Sequence, residues 1–227
     1  MPTLTDIMTE LESLGTEQNR KIYTRHGITP PMFGVSFAHL DALKKRLKKD
    51  DALAPQLWAT GNHDARILAL KIADPAAVTS DLLEAWVNDV TNYTLSDALS
   101  GFVAQTPHLQ DKAERWSRMD DEWHGATGWN LVGSLAMQKN DLPDSYFVDY
   151  LRRIEAELAS AKNRVRHSMN QALIAIGIRN DALYVEAVKV ANRIGKVVVD
   201  HGETGCKTPA AIPYMDKARA RSKIKNS

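Results

Sequence analysis

Apolar residues recur along the whole chain with the spacing of α-helices. The first segment shows the pattern, with side chains at positions i, i+4 and i+7 that share one helical face, namely Ile7, Leu11 and Leu14. Gly15 directly follows them and is predicted to be the C-cap. A second short helix is predicted over about residues 16–27, and the turn Ile28-Thr-Pro-Pro follows it because consecutive prolines disfavour helix.

Ser36 is predicted to cap a third helix, whose apolar face carries Leu40, Leu43 and Leu47. The same periodicity predicts ten further helices, over residues 51–60, 62–73, 80–90, 94–105, 109–119, 122–138, 144–161, 164–178, 181–194 and 210–223. Only Val197-Val-Val199 has the composition of a strand, and three residues make a poor sheet.

The spacing of these helices predicts the fold. They recur about every 15–20 residues, so that helix pairs repeat about every 35–40 residues, a period typical of HEAT-type solenoids. We therefore predict an all-α solenoid of HEAT-like antiparallel helix pairs, wound as a right-handed superhelix with a concave basic groove. It is expected to span residues 1–200, with a loop, a short helix and a basic tail in residues 201–227 packed on or extending from the same domain. A globular helical bundle is the alternative.

Composition excludes several classes of site. Cys206 is the only cysteine, so the chain can form neither an internal disulfide nor a multi-cysteine zinc site. None of the seven histidines has another at i+4, the spacing with which a helix presents two to one metal ion, so no metal is expected. In Gly202-Glu-Thr-Gly-Cys-Lys-Thr208, cysteine stands where a Walker motif needs glycine before the lysine, so no nucleotide cofactor is expected.

The chain also lacks the sequence features of export. Its first fifteen residues include three acids and no long apolar run, unlike a signal peptide. No window approaches about 18 consecutive apolar residues, the length expected of a membrane-spanning helix. We therefore expect a cytoplasmic protein without cofactors, and expect it to be a monomer.

Charge placement carries more information than net charge, because 29 Lys and Arg nearly balance 28 Asp and Glu. Lys45, Lys48 and Lys49 are predicted to share the helix face opposite the leucines. A second cluster brackets a predicted helix start, where the dipole is also positive, and comprises Lys162, Arg164, Arg166 and His167. A third follows near the end of the chain, with Lys217, Arg219, Arg221, Lys223 and Lys225. Each cluster alone is more typical of a solvated face, but together on a solenoid they favour double-stranded DNA as partner.

Five motifs occur in order over most of the chain: Phe33-Gly-Val35, Leu57-Trp-Ala-Thr-Gly-Asn-His-Asp-Ala-Arg66-Ile-Leu-Ala69, Trp86-Val-x-Asp89, Asn92-Tyr93-Thr-Leu-Ser-Asp97, and Gly205-Cys-Lys-Thr-Pro209 with Tyr214. Together they resemble the AlkD-like DNA alkylation repair family of HEAT-repeat DNA glycosylases. The resemblance implies a HEAT-like fold and a site built from an aromatic residue four positions before an aspartate. Tyr93 and Asp97 hold those positions here.

The resemblance implies that Tyr93 and Asp97 are catalytic. An N3- or N7-alkylated purine is cationic, and an aromatic ring attracts it through a cation–π contact of about 0.5–2 kcal/mol. An ionised carboxylate can stabilise the developing oxocarbenium sugar or align a water as the base departs. The implied activity is therefore hydrolysis of the N-glycosidic bond of such purines, without a general acid to protonate the leaving group.

The sequence departs from the family pattern in three places. Tyr93 replaces the expected tryptophan, and a second cleft tryptophan falls at Asn170 or Gln171, where no aromatic residue stands. The segment Trp123-His-Gly-Ala-Thr-Gly-Trp129 has small residues where the family tends to show arginines, and Trp129 or His124 is the candidate to compensate.

Structural roles compete with each functional assignment. Asp97 is alternatively a surface acid or a partner for Arg66, which more often ties helices together through an ion pair than contacts DNA. The five tryptophans, including Trp123 and Trp129 in the predicted groove, are expected to lie mostly in the core, and His124 is expected to be a polar residue with its hydrogen bonds made.

Three functions therefore remain open: an alkylpurine DNA glycosylase, a non-catalytic DNA-binding solenoid that has lost the aromatic clamp, and a protein-binding scaffold.

Overall fold

The computed structural model describes residues 2–225 of the backbone and the side chains of residues 2–221. Thirteen helices lie in that range: α1 Leu4–Leu14, α2 Glu17–Arg25, α3 Phe37–Leu47, α4 Leu53–Ala59, α5 His63–Ile72, α6 Ser80–Asn88, α7 Tyr93–Val103, α8 Leu109–Trp116, α9 Glu122–Met137, α10 Asp144–Glu157, α11 Asn163–Arg179, α12 Asp181–Ile194 and α13 Ala211–Lys225. The described part of the chain contains no strand, and Val197-Val-Val199 lies in the segment between α12 and α13.

Local sequence signals explain where most helices begin. Side chains of Ser, Thr, Asn or Asp accept a hydrogen bond from a backbone amide of the first turn at eight N-caps, namely Thr3, Thr16, Ser36, Asn62, Thr79, Asn92, Asp121 and Asn180. Gly15 is the C-cap of α1 and Ser36 the N-cap of α3, as predicted. The predicted helix at 181–194 matches α12, and the one at 144–161 is too long, because α10 ends at Glu157.

The helices form two compact units. Unit 1 comprises the described residues up to His108 together with His201–Gly205, and unit 2 comprises Leu109–Asp200 together with the described residues from Cys206 onwards. Unit 1 therefore contains α1–α7 and unit 2 contains α8–α13. None of the described helices is both long and apolar enough to cross a membrane.

The core of unit 1 is centred on α5, where most side chains are buried. Two tryptophans from neighbouring helices, Trp58 of α4 and Trp86 of α6, stack with their ring centres 4.8 Å apart. Both are almost fully buried, as predicted for tryptophans at helical spacing. They fix the packing of the helices that flank α5.

The core of unit 2 depends on two close helix contacts. A side chain at Gly128 of α9 would collide with the backbone of Trp116 and Ser117, so α8 packs against α9 only because this residue is glycine. On α11, a side chain at Gly177 would collide with Met215, which is fully buried. Met215 thus anchors α13 against α11, and the first part of the predicted basic tail is an ordered, packed helix.

Candidate nucleic-acid interface

Tyr93 and Asp97 lie one turn apart at the start of α7 in unit 1. The helix begins at Tyr93 because Asn92 caps it, its Oδ1 accepting from the amide of Leu95 at 3.0 Å. Asp97 is exposed and Tyr93 is half-buried. The spacing of four residues puts both on one helical face, as the sequence predicted.

The hydroxyl of Tyr93 is hydrogen-bonded to Nδ1 of His26, the C-cap of α2. The two rings are tilted by 56° with their centres 5.9 Å apart. Tyr93 is therefore held by a contact inside unit 1, and nothing in the sequence motif indicated His26 as its partner. The signal in the sequence that could have indicated this partner is the position of His26 directly before Gly27, at the predicted end of α2.

A cavity of about 860 Å³ lies between α3, α5 and α7 in unit 1. Its most prominent feature is a set of lysines from α3 and the segment after it, joined by one from α5: Lys44, Lys45, Lys48, Lys49 and Lys71. Between them are apolar residues, namely Phe37, Ile67, Leu70, Ala73, Pro75, Ala98 and Phe102. The structure therefore brings together all three lysines that the sequence assigned to DNA from this region.

The geometry that brings Lys45, Lys48 and Lys49 together differs from the one predicted. They do not share a helix face, because α3 ends at Leu47 and Lys48 has φ 60° and ψ −148°. The sequence did not indicate this helix end, because the C-cap of α3 is a lysine rather than the glycine that usually marks a C-terminal cap. The chain turns at Lys48, and Lys48 and Lys49 line the cavity from the segment after α3 rather than from the helix itself.

Two of the cavity lysines are paired with carboxylates. The Nζ of Lys71 lies 2.6 Å from Oδ1 of Asp41, and that of Lys49 lies 2.5 Å from Oδ1 of Asp74. The hydrogen bond from each lysine is the main cause of a lowered pKa in its aspartate. Lys44, Lys45 and Lys48 make no ion pair within 4.0 Å among the described residues, so their charges face solvent.

Arg66 has a structural role in unit 1. Its guanidinium donates to the carbonyl oxygen of Asp89 at 2.9 Å and lies 3.3 Å from the Asp89 carboxylate. It also lies over the ring of Trp58, which donates from Nε1 to Asp89 Oδ2 at 2.8 Å. The partner of Arg66 is therefore Asp89 and not Asp97, and the motif around Trp58 and Trp86 ties α4, α5 and α6 together.

Sequence reasoning missed the role of Asp64, which is fully buried on the first turn of α5. Its carboxylate accepts backbone hydrogen bonds of 2.7, 3.0 and 2.9 Å from three consecutive residues, Phe33, Gly34 and Val35. Beside it, burial lowers the pKa of His63 to about 4. The Phe33-Gly-Val35 motif therefore serves to attach the loop before α3 to α5.

In unit 2, the second basic cluster lies at the start of α11. The backbone amide of Arg164 donates to Oε1 of Glu122 at 2.8 Å, so one amide of the predicted phosphate site already has a carboxylate partner. Arg166 is half-buried, and its Nε is buried without a hydrogen-bond partner among the described residues. Lys162 precedes the helix and is exposed.

The third cluster lies on α13. Arg219 is in ion-pair contact with Asp181 and lies over the ring of Tyr184, 4.5 Å from its centre. Lys217 and Arg221 are exposed. The side chain of Lys223 lies outside the described residues. The structure thus leaves two of the predicted cations open to solvent and uses Arg219 to hold α13 against α12.

The positions that were expected to complete an aromatic clamp lie inside unit 2. Trp129 is buried, with the guanidinium of Arg153 4.9 Å from its ring centre, whereas Trp123 is half-buried. Asn170 is 1% exposed and donates from Nδ2 to the carbonyl oxygen of Pro209 at 3.0 Å. His124 is buried and bonded to Asp121, as a satisfied polar residue should be. Neither Trp129 nor Asn170 is placed to stack on a ligand.

Comparison with known proteins bears on both fold and function. The family described as "DNA alkylation repair enzyme" matches residues 7–215. The chain is 31% identical to uncharacterized protein Lin0241 of Listeria innocua, over 97% of this chain and 99% of that one. It is also 31% identical to uncharacterized protein Lmo0209 of Listeria monocytogenes, over 98% of this chain and 100% of that one.

A solved structure gives the same result for the fold. It is described as a new family of proteins related to the HEAT-like repeat DNA glycosylases with affinity for branched DNA structures. It is 29% identical to this chain, covers 97% of it and 95% of its own length, and superimposes with a TM-score of 0.88. The predicted all-helical, HEAT-like fold is therefore confirmed, and the right-handed superhelix with a concave groove stays a prediction.

Proposed function

Since the chain belongs to the DNA alkylation repair enzyme family, we propose that it is a DNA-binding protein of alkylation repair. Phosphates contact the lysines around the cavity of unit 1 and, in unit 2, the cations of the α11 start and the exposed cations of α13. The observation that carries this proposal is the cluster of Lys44, Lys45 and Lys48, three neighbouring charges without ion pairs. Such a cluster is stabilised by a polyanion that releases its counterions on binding.

The similar solved structure extends the proposal to the kind of DNA structure that is bound. A protein with the same fold has affinity for branched DNA structures. We therefore include forks and four-way junctions among the DNA forms that this chain binds. The test compares a blunt duplex, a fork and a four-way junction of matched sequence at several salt concentrations. Log affinity should fall steeply and linearly with log salt for each DNA, whereas a salt-independent affinity would contradict binding through phosphate contacts.

Excision of alkylated bases is the second candidate function. The observation that favours it is that Asp97 is exposed one helical turn from Tyr93. In this reaction the C1′–N bond of a cationic purine breaks, its electron pair leaves with the base, and water adds to C1′ with loss of a proton. Asp97 stabilises the cationic sugar or aligns the water, and Tyr93 contributes a weaker cation–π contact than tryptophan would.

We favour DNA binding without excision, because Tyr93 is already bonded within unit 1 and no aromatic residue stands at Asn170 or Gln171, where a second cleft tryptophan was expected. The Tyr93 hydroxyl is bonded to His26, and Asn170 is buried against Pro209. The experiment measures release of 7-methylguanine and 3-methyladenine from alkylated duplex by the wild-type protein and by Asp97→Asn. DNA binding with no release by either protein supports binding alone. Release that is lost in Asp97→Asn would establish excision instead.

A further inference from the structure

We infer that the cavity between α3, α5 and α7 binds one unpaired nucleotide of a DNA strand. The base lies on the apolar residues of the cavity, and the neighbouring phosphates contact the lysines at its mouth. This inference rests on the proposed DNA-binding function and names the feature of the DNA that this site recognises.

The apolar lining distinguishes the cavity from a simple phosphate site. A duplex backbone presents sugars and charged phosphates, which need cations and no apolar contact. An unpaired base exposes two apolar faces that gain from stacking on aromatic and aliphatic side chains. Phe37 at the mouth is 47% exposed, and the ring of Phe102 contributes to the lining from α7. A lining of this kind suits a base and offers little to a paired backbone.

The lysines supply charge that matches the strand on either side of that base. Lys44, Lys45 and Lys48 make no ion pair among the described residues, so phosphates can bind them without breaking one. Lys71 lies with its Nζ 5.7 Å from the ring centre of Phe37, beside its partner Asp41. Single-stranded sites elsewhere combine the same two parts, an aromatic platform and a cationic track.

Size and location agree with a single nucleotide. A cavity of about 860 Å³ falls within the range of about 300–1,000 Å³ found for small-molecule sites. Gly101 of α7 lines the cavity, and a Cβ atom added there would meet no atom within 4 Å. The absence of that side chain leaves the space open. Ala98 and Gly101 follow Asp97 by one and four positions, so the bound nucleotide lies next to an exposed carboxylate.

Gly101→Trp is the most direct test, because a Cβ at this position has open space and the indole ring is expected to occupy the cavity. The variant should fold at least as well as the wild type, since glycine is unfavourable inside a helix. We expect its affinity for a 5′-phosphorylated hexathymidine to fall at least tenfold while its affinity for a blunt duplex stays within twofold. Fluorescence anisotropy measures both affinities, and thermal unfolding checks the fold.

Two further variants separate the base contact from the phosphate contacts. Phe37→Ala should weaken hexathymidine binding about fivefold or more, the effect expected when a base loses an aromatic platform. Lys44→Gln combined with Lys48→Gln should lower the slope of log affinity against log salt by about 1.4 for the single strand, at about 0.7 per lost phosphate contact. Lys21→Gln is the matched control, because Lys21 is exposed in unit 1 and lies outside the cavity.

The outcomes distinguish this inference from the proposed function. A wild-type protein that binds duplex but not hexathymidine overturns the nucleotide site and leaves DNA binding intact. Equal losses for duplex and single strand in Gly101→Trp also overturn it, because the cavity would then serve the duplex backbone. A selective loss for the single strand supports it. A wild-type protein that binds no DNA at all overturns both.

Discussion

Lysines line the cavity of unit 1, whereas in unit 2 the half-buried Arg153 and Arg179 are held by internal partners. Arg153 donates to the carbonyl oxygen of Ser117 at 2.8 Å and covers the ring of Trp129. Arg179 donates to four backbone carbonyls at the end of α9 and after it, including that of Ala136 at 3.0 Å. No equivalent set of internal acceptors surrounds Lys44, Lys45 or Lys48 among the described residues.

The difference follows from the chemistry of the two cations. A guanidinium is planar, offers five donors in a fixed fork and stacks on aromatic rings, so it can organise carbonyl groups at the end of a helix. An ammonium on a flexible chain is strongly hydrated and remains at the surface. Arg153 and Arg179 therefore stabilise the fold of unit 2, whereas Lys44, Lys45 and Lys48 of unit 1 remain available to a ligand.

The largest expected effect tests the structural role of the arginines. Arg179→Met removes the donors to the carbonyls after α9 and the contact with Phe147, whose ring centre lies 4.6 Å away. We expect the free energy of unfolding to fall by about 3 kcal/mol, since each hydrogen bond to a charged group contributes about 1.5–3 kcal/mol and partial rehydration offsets some of the loss. Urea denaturation measures the change.

Arg193→Met is the control for that measurement. Arg193 pairs with Glu155 at 2.5 Å on the surface and is 54% exposed, so its loss should change the free energy of unfolding by less than about 1 kcal/mol. If the two variants were equally stable, the assignment of Arg179 to the fold would be wrong. DNA affinity of the folded fraction should be unchanged in both.

Acid should destabilise the protein through His63 of unit 1. Burial lowers the pKa of His63 from 6.5 to about 4, so the unfolded chain binds more protons between these values. The contribution of neutral His63 to the free energy of unfolding is complete above about pH 6.5 and is lost as the pH falls toward 4. The loss is roughly 3 kcal/mol, at about 1.4 kcal/mol per pKa unit.

The measurement is the free energy of unfolding from pH 7.5 to 4.5 for wild type, His63→Gln and His39→Gln. His39 is exposed, so its variant should follow the wild-type curve. His63→Gln should show a shallower decline below pH 6.5. Parallel curves for all three proteins would contradict a neutral, buried His63.

The smallest effect concerns DNA rather than stability. Lys45→Gln combined with Lys48→Gln should lower the salt slope of duplex binding by about 1.8, at about 0.9 per phosphate contact. Affinity at moderate salt should fall about tenfold, or about 1.4 kcal/mol. The control is Lys21→Gln combined with Lys189→Gln. It also removes two positive charges, but from surface ion pairs that lie outside the three basic clusters. An equal slope change in that control would show that only net charge matters.

The sequence determined the helices, because the signals that form them are local. Ser36 and Asn92 cap helices through bonds to amides three residues away, and apolar spacing within one segment fixes which face is buried. The match to the family adds the HEAT-like fold. The face shared by Tyr93 and Asp97 also follows from helical geometry alone.

Tertiary structure decided which polar residues are used by the fold and which remain open. Asp64 binds a loop about 30 residues earlier, Arg66 pairs with Asp89, and Arg219 pairs with Asp181. Each contact joins different elements and depends on how the helices pack, which hydrophobic periodicity does not specify. The lysines of unit 1 form a site for the same reason. The packing of α3 and α7 against α5 places apolar residues beside them, and the chain turns at Lys48, so that Lys48 and Lys49 also line the cavity.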